Sequence, residues 1–197
     1  MVWTDRFVRE QVKNELIFTT TGPQLWILPY YTKKSGDANE VTEFIWKFKD
    51  GGVAAVALAT ELLTAGISKH EKALRDKYGC SVICASPSSQ QGGPSIATDR
   101  VCEELAKRFP WLTHRKGLLQ RIQTIKRAHL CAPGERPTVQ THLDTVAASM
   151  SDNLKGRGVL LFDDVVTRGG TSEACSQILK SCLKCGPVVG LVLGKTQ

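Results

Sequence analysis

The feature that most constrains the fold is a set of short apolar runs that alternate with segments of helical periodicity. The runs CSVICAS (80–86), GRGVLLFDD (156–164) and VVGLVLG (188–194) have the length and apolar content of buried strands. Parallel strands need a crossover connection, which is usually a helix. The alternation therefore predicts an α/β fold with a mostly parallel central sheet flanked by helices.

The remaining segments fit the same architecture. A further strand is predicted at LWILPYY (25–31), and GLLQRIQTI (117–125) also has strand-like residues. Helices are predicted where apolar residues recur at spacings of three and four. They cover 39–52, 53–66, 94–109, 138–150 and 171–186, with a polar helical connector at 68–79. In parallel sheets of this kind, ligands bind at the carboxyl ends of the strands.

Length, charge and cysteine content limit the class of protein. The 197 residues correspond to one domain, and no apolar stretch reaches the roughly 18 residues of a membrane span. The N-terminus lacks the apolar core of a secretory signal, so a cytoplasmic location is expected. The cysteines in apolar segments, such as Cys80, Cys84 and Cys175, are expected to pack as small hydrophobes, and the Cys182–Cys185 pair is expected to be inert and not a zinc or redox site. The net charge of +7 suits phosphorylated small molecules or nucleic acid equally.

The segment VLLFDDVVTRGGT (159–171) carries the clearest chemical signal. An apolar strand ends in Asp163 and Asp164, a glycine-containing turn follows, and Thr171 begins a helix. Backbone N–H groups in such a turn, together with the positive end of a helix, bind phosphate. Paired carboxylates beside a phosphate bind sugar hydroxyls or, through water, Mg²⁺. The structural alternative is a plain strand–turn–helix in which the acids cap the helix.

This segment is similar to the phosphoribosyl-pyrophosphate (PRPP) motif of type I phosphoribosyltransferases, and the chain most resembles their ComF-like branch. Similar segments are FIWKFKDGG (44–52), SVICASPSS (81–89), LQRIQTIKRA (119–128) and ERPTVQTHLDT (135–145). The chain departs from the family pattern at Arg168, where a second Thr or Ser is usual, and at QQGGPS (90–95).

The resemblance implies the fold of that family over a single domain. It covers about residues 25–194 of the 197. The implied domain has a small N-terminal hood-like segment, 1–38, and a core, 39–194. Its sheet is expected to be mostly parallel and flanked by helices, which agrees with the pattern of apolar runs.

The resemblance also implies an activity: transfer of a 5-phosphoribosyl group from PRPP to a nitrogen acceptor, with Mg²⁺ and with release of pyrophosphate. Asp163 and Asp164 are expected to hold the ribose hydroxyls, directly or through Mg²⁺, and to act with Arg121 in catalysis. The implied 5-phosphate loop comprises Val165, Val166, Thr167, Arg168, Gly169, Gly170 and Thr171. The implied pyrophosphate loop comprises Ser86, Pro87, Ser88 and Ser89. Further candidates, each with an equally simple structural explanation, are Lys47, Lys126, Arg127, Arg136 and His142.

Two other functions remain open from the sequence. One is a PRPP-sensing regulatory or nucleic-acid-associated protein without turnover, which the +7 charge and QQGGPS (90–95) favour. The dispersal of the cations along the chain favours an enzyme instead. The other is a receiver-like or nucleotide-binding domain, but there the acidic pair lies early in the chain. The expected partners are PRPP and an unidentified nitrogenous acceptor, without a membrane partner, and a homodimer is left open.

Overall fold

A computed structural model of the chain describes residues 3–19, 22–30, 40–126, 131–132, 134–150 and 153–196. The described part is α/β, as predicted, with a mostly parallel central sheet flanked by helices. In chain order the elements are α1 (Asp5–Glu10), β1 (Glu15–Thr19), β2 (Gly22–Tyr30), α2 (Glu40–Lys49), α3 (Val53–Lys72), a π-helical turn (Ala73–Lys77), β3 (Cys80–Ala85), α4 (Ile96–Arg108), β4 (Thr113–His114), β5 (Leu119–Arg121), α5 (Val139–Thr145), β6 (Val146–Ala148), β7 (Gly158–Val166), α6 (Gly170–Leu183) and β8 (Val188–Thr196).

The central sheet has six strands in the order β1-β2-β8-β7-β3-β4. Only β1 runs antiparallel to its neighbour, and the other four pairings are parallel. Strands β5 and β6 form a separate two-stranded antiparallel sheet. The predicted hood segment, 1–38, therefore contributes two strands, β1 and β2, to the central sheet.

Apolar side chains cover both faces of the central sheet. On one face, Phe48 of α2 packs edge-to-face on Phe162 of β7, with the ring centroids 6.3 Å apart. On the other face, Leu161 of β7 packs in a cluster with Leu179 of α6. This explains why β7 and β8 are apolar almost throughout, since a strand covered on both faces cannot alternate with polar residues.

The helix predicted over 138–150 is wrong in its second half. The helix ends at Thr145, and Val146 is extended at φ −118° and ψ 134°. Residues Val146–Ala148 pair with β5, where Val146 lies opposite Arg121. Pairing with a distant strand satisfies the backbone groups and buries Val146, and this gain outweighs the local helical pattern.

The strand that leads to the acidic pair is longer than predicted. It was expected to end at Asp164, but Val165 and Val166 also pair with β8. The turn therefore begins at Thr167. The following helix starts at Gly170, one residue before Thr171, which was expected to begin it.

Other boundaries also differ from the predictions. The helix at 53–66 and the connector at 68–79 are one continuous helix that closes in the π-helical turn. The strand within 117–125 is only three residues long. Helix α1 and strands β1 and β4 were not predicted.

The buried cysteines agree with their predicted role as small hydrophobes. All seven are free thiols, and Cys80, Cys84, Cys102, Cys131 and Cys175 are buried. Across the described ranges, no single helix has the length and apolarity needed to cross a membrane. Helix α2 and the segment Val53–Lys77 meet those criteria only when taken together, across a bend of 109°.

Candidate functional site

The candidate site lies where the neighbouring parallel strands β3 and β7 end. Ser86, the first residue after β3, donates its backbone N–H to the carbonyl oxygen of Phe162 at 2.8 Å. The Ser86 hydroxyl also donates a hydrogen bond to the carboxylate of Asp163. The start of the predicted pyrophosphate loop and the predicted acidic pair are therefore adjacent, as expected for two loops at one edge of a parallel sheet.

The two carboxylates have different electrostatic environments. Lys49, at the end of α2, places Nζ 3.3 Å from Oδ1 of Asp164, which also accepts the N–H of Val165 at 2.6 Å. Burial, and then the charge of Asp164, raise the pKa of Asp163 to about 7. The hydrogen bond from Ser86 and the charge of Lys49 oppose that shift only in part. Asp164 thus has a cation beside it, whereas Asp163 is a half-buried carboxylate whose hydrogen bonds and nearby cation offset its desolvation only in part.

The acidic pair fits a divalent cation that arrives with a phosphate ligand. Within the described residues, no group of three or more His, Cys, Asp and Glu side chains could hold a metal ion alone. Mg²⁺ is commonly bound by one or two carboxylates together with water and substrate phosphates. Asp163 and Asp164 supply two carboxylates, and the poorly compensated charge of Asp163 would be relieved by such a cation.

The predicted 5-phosphate loop joins β7 to α6. Thr167 and Arg168 are exposed, and Gly169 takes the left-handed conformation at φ 78° immediately before the helix. Glycine adopts this conformation without steric cost, and here it turns the chain sharply into α6. The first N–H groups of a helix have no partner within it, so those following Gly169 can bind an anion.

The predicted pyrophosphate loop and the residues that follow it are hydrogen-bonded to strand β5 and to the segment after it. Gly92 and Arg121 exchange two backbone hydrogen bonds, with N–O distances of 2.8 and 2.6 Å. The carbonyl oxygen of Ser88 accepts a bond from Nε of Arg121 at 3.0 Å, and that of Ser89 accepts the N–H of Ile125 at 2.9 Å. These bonds attach the loop to strand β5 and to the residues that follow that strand.

Arg121 lies inside the protein. Its side chain is only 2% exposed, and burial lowers its pKa. Nη1 donates to Oγ1 of Thr145 at 2.7 Å, and Nη2 lies 3.3 Å from Nδ1 of His142. No described acid lies within ion-pair distance of the guanidinium. Arg121 therefore supports the loop at Ser88 through hydrogen bonds to neutral acceptors.

His142 connects Arg121 to the start of α6. Its Nε2 lies 3.4 Å from Oγ1 of Thr171, the second residue of that helix. The ring is 7% exposed, and burial, followed by the charge of Arg121, lowers its pKa to about 4. The structure thus brings together four residues predicted separately: Ser88, Arg121, His142 and Thr171.

The remaining candidates lie further from the acidic pair or outside the description. Lys126 forms an exposed ion pair with Glu135 at 3.0 Å, and Arg136 is exposed. Arg127 lies outside the described residues. Lys47 is exposed on α2, where Lys49 forms the contact with Asp164.

Sequence reasoning missed two residues of this site, Lys49 and Thr145. At about 100° per residue, Lys49 and Lys47 lie roughly 90° and 110° to either side of the apolar stripe of α2. The helical pattern alone therefore cannot choose between them. The sequence does not mark Thr145 as a site residue, because its contact with Arg121 depends on the pairing of β5 with β6.

Neither a protein-family model nor a curated protein sequence matches this chain. The fold and the site define a class at the level of architecture: an α/β protein with a mostly parallel sheet, compatible with a Rossmann-like fold. At the carboxyl edge of that sheet, two carboxylates lie next to the residue that opens one loop, Ser86, and close to the turn that leads into α6.

Proposed function

We propose that this protein is a Mg²⁺-dependent phosphoribosyltransferase of type I, similar to the ComF-like branch. It would transfer the 5-phosphoribosyl group of PRPP to a nitrogen acceptor and release pyrophosphate. The observation that carries the proposal is the position of Asp163 and Asp164. They lie between two loops. One begins at Ser86, whose N–H is bonded to Phe162, and the other contains Gly169 and leads into helix α6. PRPP has two anionic groups joined by a ribose, and this arrangement offers two anion-binding loops with carboxylates between them.

The proposed reaction breaks the bond from C1 of PRPP to the pyrophosphate oxygen and forms a bond from C1 to the acceptor nitrogen, which releases its proton to solvent. Positive charge develops on the ribose ring as pyrophosphate departs. The carboxylates of Asp163 and Asp164 bind the ribose hydroxyls and stabilise that charge. The protein otherwise acts by holding the donor and acceptor in line.

The two loops bind the two anionic ends of PRPP. The 5-phosphate accepts hydrogen bonds from the first N–H groups of α6 and from the hydroxyls of Thr167 and Thr171. Pyrophosphate is bound by the loop that begins at Ser86. Arg121 acts as a positioning residue, because it donates a hydrogen bond to the carbonyl oxygen of Ser88 in that loop. Mg²⁺, held by Asp163 and Asp164, would neutralise charge on the departing pyrophosphate.

Thermal unfolding with and without Mg²⁺–PRPP tests the site. A ligand that binds only the folded state raises the melting temperature by mass action, so millimolar Mg²⁺–PRPP should raise it by several degrees. The double variant Asp163→Asn/Asp164→Asn should remain folded and lose that shift. Asp5→Asn/Asp76→Asn makes the same charge change at exposed acids and should retain it. An unchanged melting temperature in folded wild-type protein would contradict the proposal.

Turnover needs a separate measurement. Release of pyrophosphate from Mg²⁺–PRPP should be measured with a panel of nucleobases and simple amines. Release that depends on one acceptor, and that the Asp163→Asn/Asp164→Asn variant lacks, would support the enzyme. PRPP binding with no release for any acceptor would instead favour a PRPP-sensing protein.

One observation favours nucleic-acid binding as the second candidate. Lys69, His70, Lys72 and Lys77 line a hollow at the end of α3, beside the π-helical turn, with Asp76 as the acid among them. This surface precedes β3 in the chain and so lies at the opposite edge of the sheet from the acidic pair. Binding of RNA or DNA that weakens steeply with salt, and that Lys69→Glu/Lys72→Glu removes, would support this function.

A further inference from the structure

A chain of hydrogen bonds joins the proposed pyrophosphate loop to the start of α6, where the proposed 5-phosphate loop ends. It runs from the carbonyl oxygen of Ser88 to Arg121, then to His142, and ends at the hydroxyl of Thr171. The three distances are 3.0, 3.3 and 3.4 Å. Nothing in the proposed chemistry so far requires His142, although it joins Arg121 to Thr171 in this chain.

The partners of His142 determine which of its nitrogens carries the proton. A guanidinium only donates hydrogen bonds, so Nδ1, which faces Nη2 of Arg121, must accept. In a neutral ring the proton is then on Nε2, which donates to Oγ1 of Thr171. The charge of Arg121 and the burial of the ring both disfavour a second proton.

This tautomer also orients the hydroxyl of Thr171. Because Oγ1 accepts a hydrogen bond from Nε2–H of His142, the O–H of Thr171 points away from the ring and is available to a further acceptor. Hydrogen bonds in a chain polarise one another, and here the chain starts at a buried cation. Thr171 therefore gains strength as a donor to an anion, although Arg121 itself is buried away from that loop.

We propose that His142, as the neutral Nε2–H tautomer, is a positioning residue that aligns the hydroxyl of Thr171 toward a phosphate group and couples that loop to the pyrophosphate loop through Arg121. The inference rests on the proposed function, since it assigns the phosphate of the ligand to the loop before α6. The hydrogen bonds of His142 are long, and such bonds commonly shorten when the ligand binds.

A double-mutant cycle on ribose 5-phosphate affinity tests this role in the full-length protein. His142→Phe and Thr171→Val should each weaken binding about tenfold, the loss expected for one hydrogen bond to a charged group. The double variant should be no weaker than Thr171→Val alone, because His142 acts through that hydroxyl. Thr171→Ser keeps a hydroxyl and His142→Gln keeps one acceptor and one donor, so both should bind within about threefold of wild type.

The outcomes separate this inference from the proposed function. If wild-type protein binds neither ribose 5-phosphate nor Mg²⁺–PRPP, both are overturned. If it binds them but the two losses add in the cycle, His142 is a structural residue and the proposed function stands. A folded His142→Gln variant that binds as weakly as His142→Phe would also overturn the positioning role.

Nitrogen NMR of the imidazole tests the tautomer without any substitution that could unfold the protein. In wild-type protein labelled at histidine nitrogens, His142 should be neutral at pH 7 with its proton on Nε2. Its Nε2 resonance should shift when ribose 5-phosphate is added. A proton on Nδ1, or an unchanged Nε2 resonance at saturating ligand, would overturn the inference even if His142→Phe does not fold.

Discussion

Lys49 and Asp164 form an ion pair that joins the end of α2 to the end of β7, with Nζ 3.3 Å from Oδ1. The two side chains are 39% and 24% exposed, so the pair lies at the surface of the site. Asp163, the adjacent residue, is half-buried and has a raised pKa. Asp164 thus contacts a cation directly, whereas Asp163 does not, which makes Asp163 the carboxylate that gains most when a divalent cation binds.

Substitution of Lys49 should weaken anion binding more than substitution of Lys47. Lys49 contacts the acidic pair and offsets its charge, whereas Lys47 is exposed elsewhere on the same helix. Lys49→Met should weaken ribose 5-phosphate binding about three- to fivefold at low salt, and less at high salt. Lys47→Met has the same change in charge and should leave the affinity unchanged. Equal effects of the two variants in calorimetric titrations would show that only net charge matters.

The central sheet could be predicted because its inner strands are defined by local sequence. Strands β3, β7 and β8 are short apolar runs, which is the pattern that burial on both faces requires. Strand β1 was not predicted because it lies at the edge of the sheet, where Phe18 remains 68% exposed. Strand β6 was predicted as helix because its extended conformation comes from pairing with β5, which is distant in the sequence.

The candidate site was predictable only where a local motif marks it. Asp163, Asp164 and the glycine turn are consecutive in the chain, and the structure places Ser86 next to them as the fold class requires. The burial of Arg121 could not be predicted, because arginine is expected at the surface. Its acceptors come from two separate segments of the chain, the loop at Ser88 and helix α5, and only the folded structure brings them together.

Asp163→Asn should stabilise the ligand-free protein at alkaline pH. The pKa of Asp163 is raised from 3.8 to about 7 by burial and by Asp164, so the native state binds more protons than the unfolded state between these values. Stability is therefore lost as the pH rises toward 7. At pH 8, urea denaturation should give Asp163→Asn an unfolding free energy about 2 kcal/mol higher than that of wild type.

Asp164→Asn is the matched control for that stability measurement. Its carboxylate is paired with Lys49, so removing its charge also removes a favourable contact. This variant should show a smaller gain or a loss at pH 8. The advantage of Asp163→Asn should shrink as the pH falls toward 4, and an advantage that does not change with pH would contradict an electrostatic origin.

His142 should make the protein less stable in mild acid. Burial and the charge of Arg121 lower its pKa from 6.5 to about 4, so the unfolded state binds the extra proton first. Stability attributable to His142 is complete above pH 6.5 and is lost as the pH falls toward 4. The difference in urea midpoint between wild type and His142→Gln should change across this window and be constant from pH 7 to 8. His70→Gln, at a half-buried histidine on α3, provides the comparison.

The contact between β8 and α2 should make Gly194 intolerant of a side chain. A Cβ at Gly194 would lie 2.5 Å from Cδ1 of Ile45, 3.3 Å from Cβ of Tyr30 and 3.4 Å from Cγ2 of Val165, so the end of the buried Ile45 side chain must move. Gly194→Ala should cost about 1–3 kcal/mol of unfolding free energy, the usual cost of overpacking a core. It should also weaken ribose 5-phosphate binding, because Ile45 lies on α2, the helix that carries Lys49 to the acidic pair.

Ile45→Val removes the methyl group that the new side chain would meet, which tests whether that contact is the cause. Alone it should cost about 1 kcal/mol for the lost burial. Combined with Gly194→Ala it should restore at least half of the stability lost by Gly194→Ala, together with the affinity for ribose 5-phosphate. Chemical denaturation of the four proteins in this cycle gives the coupling energy directly. Additive losses would mean that Gly194→Ala acts through Tyr30, Val165 or the backbone of β8, and not through Ile45.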